Sequence, residues 1–255
     1  MASEVSRRCL SSPGAPPPAV ERLAGDPGCG PAAAAAVPCP PEEPRAEVAS
    51  PPDALLSARI VVISDFNCPY CFTLNEWISG LGLADQVRWV GIEHKPHLPL
   101  SFASANRQAD RTTLENEVSD VQRRAPDLGV RQPPVWVNSR QALLLQAAIE
   151  DEAPQRAAAL RQRIFRDIWL HGRNIADPAT LDAALAELEL EPLEAQYLAA
   201  PQLDGLTTWW RQELDRIPCM LAPTGARHLG LQDRRAVEAF LVGALQEPPP
   251  APGCR

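Results

Sequence analysis

Hydrophobic and polar positions along this chain follow two different periods, and the switches between them mark the predicted elements. Residues 58–64 (Ala-Arg-Ile-Val-Val-Ile-Ser) form a short β-branched run that predicts a buried strand. Residues 72–79 predict a helix, with Phe72, Ile78 and Leu81 among its apolar positions. Residues 86–93 predict a second strand, with Val87, Trp89 and Gly91 on one face and Arg88, Val90 and Ile92 on the other. Strand, helix, strand opens a βαβ unit with a right-handed crossover. Residues 94–100 are a loop broken by Pro96 and Pro99.

From about 104 to about 214 the period is helical almost throughout. Leu143, Leu144 and Ala147 share a face, and Leu160, Ile164, Ile168 and Trp169 form another stripe. His171 and Gly172 stop that helix, glycine being a natural C-terminal residue. Asp177-Pro178 opens the next, as cap and first-turn proline, and leads to Leu181, Leu185 and Leu188. Trp209, Trp210 and Leu214 anchor a last helix of this region. A strand at 217–222, a turn at 223–226 and a short strand at 227–230 come next. The closing helix runs from Gln232 to about Leu245, with Val237, Phe240, Leu241 and Leu245 inward. The order is β-α-β, helical insertion, β-β-α, an α/β fold, and the apolar stripes are packing surfaces.

Composition changes this picture at both ends. Residues 1–57 are rich in Pro, Ala and Gly, and residues 246–255 form a second Pro-rich tail. Neither buries enough apolar surface to offset its ordering entropy, so both are expected to be disordered. Residues 58–245 are long enough for one well-cored domain, and nothing calls for two. The net charge of −8 and pI of about 5.1 argue against a nucleic-acid or anionic-membrane binder. No run reaches transmembrane length. The stretch after Arg7 and Arg8 is Pro-rich rather than apolar, so a cytoplasmic address is expected. Lys95 is the only lysine, which reads as coding bias.

Candidate chemistry sits at the first strand-to-helix junction, in Cys68-Pro69-Tyr70-Cys71. Two cysteines with two residues between them, at such a junction, build a dithiol redox centre. The helix start offers unpaired N–H groups that favour a thiolate at Cys68, the expected nucleophile. Cys71, one turn on, is placed to resolve a mixed disulfide, and Pro69 suits a first turn. Of seven cysteines, Cys9, Cys29, Cys39 and Cys254 lie in the tails, so no structural disulfide framework is indicated. Cys219 reads as a small core residue or as a third redox thiol. Asp65 reads as a turn or cap residue or as a buried acid serving Cys71.

Three stretches resemble the DsbA family of thioredoxin-fold disulfide oxidoreductases, in its cytoplasmic FrnE-like branch. They are 65–72 around the two cysteines, 164–181 with its helix, stop and Asp177-Pro178 cap, and Arg216-Ile217-Pro218 before the last strands. The resemblance implies a thioredoxin fold with a large helical insertion and an activity of thiol–disulfide exchange with thiol or disulfide substrates. It also implies a cis Ile217–Pro218 bond facing Cys68, where an ordinary trans proline at a strand start is the alternative. Substrates would then dock over Pro69, Tyr70, Ile217 and Pro218. The Pro-Tyr pair is also that of glutaredoxins, which brings in glutathione as a co-substrate; no cofactor or metal is implied.

Three other readings stay open. One is a glutathione-dependent isomerase or transferase of the kappa-like group, whose members generally carry serine at the position of Cys68. The second is a zinc module using Cys68, Cys71, His94 and His97, although the spacing departs from common zinc sites. The third is a non-catalytic binding role for the Pro-rich N-terminal segment, with the domain as an anchor. Direction of electron flow and oligomeric state are not encoded in these patterns.

Overall fold

Four strands form one mixed sheet in the order β2-β1-β3-β4. The computed structural model describes residues 59–192, 200–214 and 216–246. The segment 1–57 and the tail from 247, both expected to be disordered, lie outside the described residues, as do Cys9, Cys29, Cys39 and Cys254. β1 (Ile60–Ser64) pairs in parallel with β2 (Val87–Gly91), and α1 (Pro69–Gly80) crosses between them. β1 also pairs antiparallel with β3 (Cys219–Leu221), which in turn pairs antiparallel with β4 (Arg227–Leu229). All five residues of β1 are buried, as its unbroken β-branched run requires of an interior strand.

Between β2 and β3 lie α2 (Gln108–Arg124), a 3-10 turn at Pro126–Leu128, α3 (Arg140–Glu152), α4 (Pro154–Trp169), α5 (Pro178–Glu187) and α6 (Ala200–Glu213). The chain closes with α7 (Arg234–Gln246), which packs on β1. The helical stretch expected at 104–214 is thus broken across 129–139, around Pro133 and Pro134, whose rings cannot continue a helix. Asp177 caps α5 by accepting the Ala179 N–H at 3.0 Å, with Pro178 in the first turn. Gly172, at φ 63°, supplies the left-handed residue beyond α4.

Four expectations need correction. Leu81 lies past the last turn of α1 and is 37% exposed. Leu245 is 39% exposed, because a 3.6-residue period that buries Val237, Leu241 and Ala244 turns position 245 outward. The strand expected at 217–222 shrinks to Cys219–Leu221, since Pro218 has no N–H to give a ladder. α7 starts at Arg234 rather than Gln232, because the Asp233 carboxylate accepts the Ala236 N–H at 2.9 Å.

Phe165 on α4 ties the layers together. Its ring stands edge-on to Phe66 at 4.8 Å and to Trp89 of β2 at 5.9 Å, and is tilted against Phe72 of α1 at 6.2 Å. One turn earlier, Arg161 is 2% exposed and lies 4.6 Å over the Trp89 ring. Its Nε donates to Asn75 Oδ1 at 3.1 Å, and its Nη1 is 3.5 Å from Glu150 Oε1. Burial pulls the Arg161 guanidinium down to about 10, against the pull of Glu150 and Asp85, so it remains charged at neutral pH. A charge so enclosed is held by its partners and by the indole face. Arg161→Ala strands Asn75 and Glu150 and empties the space over Trp89. The expected cost is about 2–3 kcal/mol, read as a lower urea midpoint with an unchanged m-value.

Candidate active site

The four residues that join β1 to α1 are fixed from several directions. Cys68 N–H donates to Asp65 O at 3.2 Å, closing a tight turn that delivers Cys68 as the N-cap of α1. Pro69 occupies the first turn, where a missing N–H is no loss. The loop's own carbonyls are satisfied from the helical insertion. Trp136 Nε1 donates to Asn67 O at 2.6 Å, and Trp169 Nε1 donates to Phe66 O at 2.8 Å. Asn67 Nδ2 reaches Val137 O at 3.4 Å.

Asp65 is the hub of this turn. Its Oδ1 accepts the Asn67 N–H at 3.3 Å and the Ser139 hydroxyl. Its Oδ2 accepts the His94 backbone N–H at 2.9 Å and faces His94 Nδ1 at 2.7 Å, where the ring must present its N–H. The carboxylate therefore acts first as a turn residue, and beyond that it binds the β1–α1 loop to the segment after β2. His97 pairs separately, with Nε2 2.9 Å from Asp110 Oδ1. The two histidines of the zinc reading thus each serve a different carboxylate. Among the described residues no group of three or more His, Cys, Asp or Glu side chains is arranged to hold a metal ion.

Cys68 and Cys71 are both free thiols, both buried, and one turn apart. At Cys68 burial works against the thiolate that the helix start favours. Burial pushes its thiol well above the ordinary value of 9.0, and the Cys71 sulfur and the Glu117 carboxylate add to the effect; the Cys71 N–H works against it. The helix end supplies donors, while Cys68, only 2% exposed, is desolvated. Tyr70 is half-buried, and burial together with Asp120 and Glu117 pushes its phenol to about 12, so it stays neutral.

The Ile217–Pro218 bond is cis. β3 places Cys219 opposite Ile63, and continuing that register by one residue sets Pro218 beside Ser64, at the end of β1 that leads into the cysteine loop. Ile217 is 9% exposed and Pro218 is buried, so of the expected docking residues only Tyr70 is partly open. Cys219 is fully buried in β3 and its thiol is pushed by burial to about 12, as suits a core cysteine.

Several site residues were not anticipated from the sequence. Trp136 and Ser139 come from the non-helical stretch before α3, with no local pattern to mark them. Glu117 carried a signal: a carboxylate on the apolar stripe of α2 formed by Leu114, Val118 and Val121. It is half-buried, and burial raises its carboxyl, opposed by Lys95 and His94.

No family model matches this chain, and no curated protein matches it. Solved structures do. A probable DsbA oxidoreductase from Streptomyces coelicolor superposes with a TM-score of 0.58 at 15% identity, covering 77% of this chain and 93% of that one. A 2-hydroxychromene-2-carboxylate isomerase gives 0.57 at 19%, covering 73% and 95%. The cytosolic disulfide reductase DsbM from Pseudomonas aeruginosa, solved with GSH, gives 0.50 at 18%, covering 74% and 100%.

A neutral, enclosed Cys68 has a kinetic signature. Alkylation of the reduced protein by iodoacetamide at Cys68 is expected to be slow at neutral pH and to keep rising beyond the ordinary cysteine range without a plateau. A plateau reached below neutral pH, measured by peptide mass spectrometry, would contradict this electrostatic account. With the sheet order, the insertion and the loop all in place, the chain has the DsbA-like thioredoxin fold.

Proposed function

We propose that this protein is a thiol–disulfide oxidoreductase that works through Cys68 and Cys71. The observation that carries the reading is the pair itself: one thiol at the helix cap, the other one turn inside, in a loop fixed by two indole N–H groups and Asp65. The Cys68 thiolate attacks a substrate disulfide, forming a mixed disulfide and releasing one substrate thiol. Cys71, losing its proton, then attacks the Cys68 sulfur. The second substrate thiol leaves, and the Cys68–Cys71 disulfide remains. Electrons pass from sulfur to sulfur, so the exchange needs no cofactor.

Burial of Cys68 supports the reducing direction. Strongly oxidising centres of this kind owe their potential to a stabilised reduced form, and an enclosed sulfur pushed up by desolvation lacks that stabilisation. Two molecules of glutathione, becoming one glutathione disulfide, would restore the dithiol; the likeness to a reductase solved with GSH supports that choice. Such a cycle belongs in a reducing compartment such as the cytoplasm. Substrates are thiols or disulfides, and they meet the site at Tyr70, the partly open member of the expected docking set, with Pro69, Ile217 and Pro218 buried behind it. The isomerase likeness offers a second reading, but a resolving cysteine has no task in it.

Cys68→Ser is expected to abolish glutathione-coupled reduction of a small disulfide such as bis(2-hydroxyethyl) disulfide. Cys71→Ser is expected to stall, with the mixed disulfide accumulating as a mass increase on Cys68. Full turnover by Cys68→Ser, or stoichiometric zinc with unreactive thiols in fresh protein, would overturn the assignment.

A further inference from the structure

One edge of the sheet is only half covered. β2 is an outer strand, so its backbone meets another strand, β1, on one side only. Ile92 N–H donates to Ser64 O at 2.9 Å, which turns the backbone groups of Arg88, Val90 and Ile92 toward β1. Because backbone direction alternates along a strand, Trp89, Gly91 and Glu93 turn their N–H and C=O groups outward. At Glu93 helix α6 meets both: Thr207 Oγ1 accepts the N–H at 3.0 Å, and Arg211 Nη2 donates to the C=O at 3.3 Å. At Trp89 and Gly91 no such hydrogen bond is made among the described residues. A cavity of about 80 Å³ lies there instead, bounded by β2, α3 and α6, with Leu143, Leu203 and Leu206 among its walls.

The side chains around this cavity have acceptors to spare. The Gln146 carboxamide donates to Glu150 Oε1 at 2.9 Å and to Ala157 O at 3.1 Å, and its buried Oε1 has no partner. Glu150 and Asp151 also line the cavity, against one cation, Arg88. We propose that the uncovered edge of β2 is a docking site for an extended polypeptide segment, with small apolar side chains at its centre and basic residues at its flanks. The segment adds to the sheet as a further strand beside Trp89 and Gly91. A sheet edge recruits such a partner because a peptide main chain carries the matching alternation of donors and acceptors. A cavity of this size admits main chain and small side chains, and the two carboxylates complement basic flanks. The site uses neither cysteine. Phe66 lines it as well, so an occupant abuts the loop that ends in Cys68.

The test uses full-length reduced protein and the cysteine-free peptide acetyl-Lys-Val-Ala-Val-Lys-amide, followed by amide NMR and hydrogen exchange. The Gly91 amide is expected to exchange readily in the free protein, and to shift and become protected as the peptide binds. The same peptide N-methylated at its three internal residues lacks the donors that pair with the edge, and is expected to bind about tenfold more weakly. A version with glutamate in place of both lysines is also expected to bind more weakly. Ala147→Leu, which fills the cavity from α3, is expected to block binding; should that variant not fold, the methylated peptide still decides the matter. Equal binding of the methylated or glutamate peptide, shifts that avoid Trp89 and Gly91, or no binding at all overturns the proposal. So does a Gly91 amide already protected in the free full-length chain, since the edge is then filled from within the molecule. Cys68→Ser protein is expected to bind the peptide like the parent, so this site stands or falls separately from the thiol chemistry.

Discussion

Everything at this site depends on one short turn being held in place by side chains that arrive from far along the chain. Leaving β1, the backbone must place Cys68 at a helix cap within four residues, which turns the carbonyls of Phe66 and Asn67 toward a buried space. Buried carbonyls need donors, and the donors here are the indoles of Trp169 and Trp136. The Asp65 carboxylate adds the links to Ser139 and His94. The insertion is therefore the second wall of the site as well as a cover on the sheet. The sheet contributes the position of the thiol pair, and the helices contribute its surroundings.

Those surroundings decide the electrostatics. A cysteine at a helix start in open solvent would be an acidic thiol, but here the same cap is buried. Two opposed influences meet on one sulfur: the helix end favours the thiolate and desolvation disfavours it. Tyr70 and Cys219 respond to burial in the same direction. Burial in this region acts against anions on sulfur and on phenol oxygen alike.

The strand–helix–strand opening and the Asp177-Pro178 cap were legible because each is written in neighbouring residues: a β-branched run, a helical period, an aspartate before a proline. The thiol pair was legible for the same reason. What escaped was set by distance along the chain. Trp169 read only as part of an apolar stripe, while its N–H serves a carbonyl 103 residues away, and no local pattern records such a partner. The expectation of a favoured thiolate at Cys68 followed from its local position, whereas the burial that works against it is a tertiary property. At the end of α7, a one-residue difference in phase separated Ala244, which is buried, from Leu245, which is not.

Because Lys95 is the sole lysine of the chain and rests over the Trp136 ring, it offers a natural spectroscopic handle. A dye coupled to that amine would sit within quenching range of an indole whose N–H is bonded to the loop bearing Cys68. Loosening of that loop, during exchange or on docking of a partner, would register as a change in fluorescence without any engineered label site.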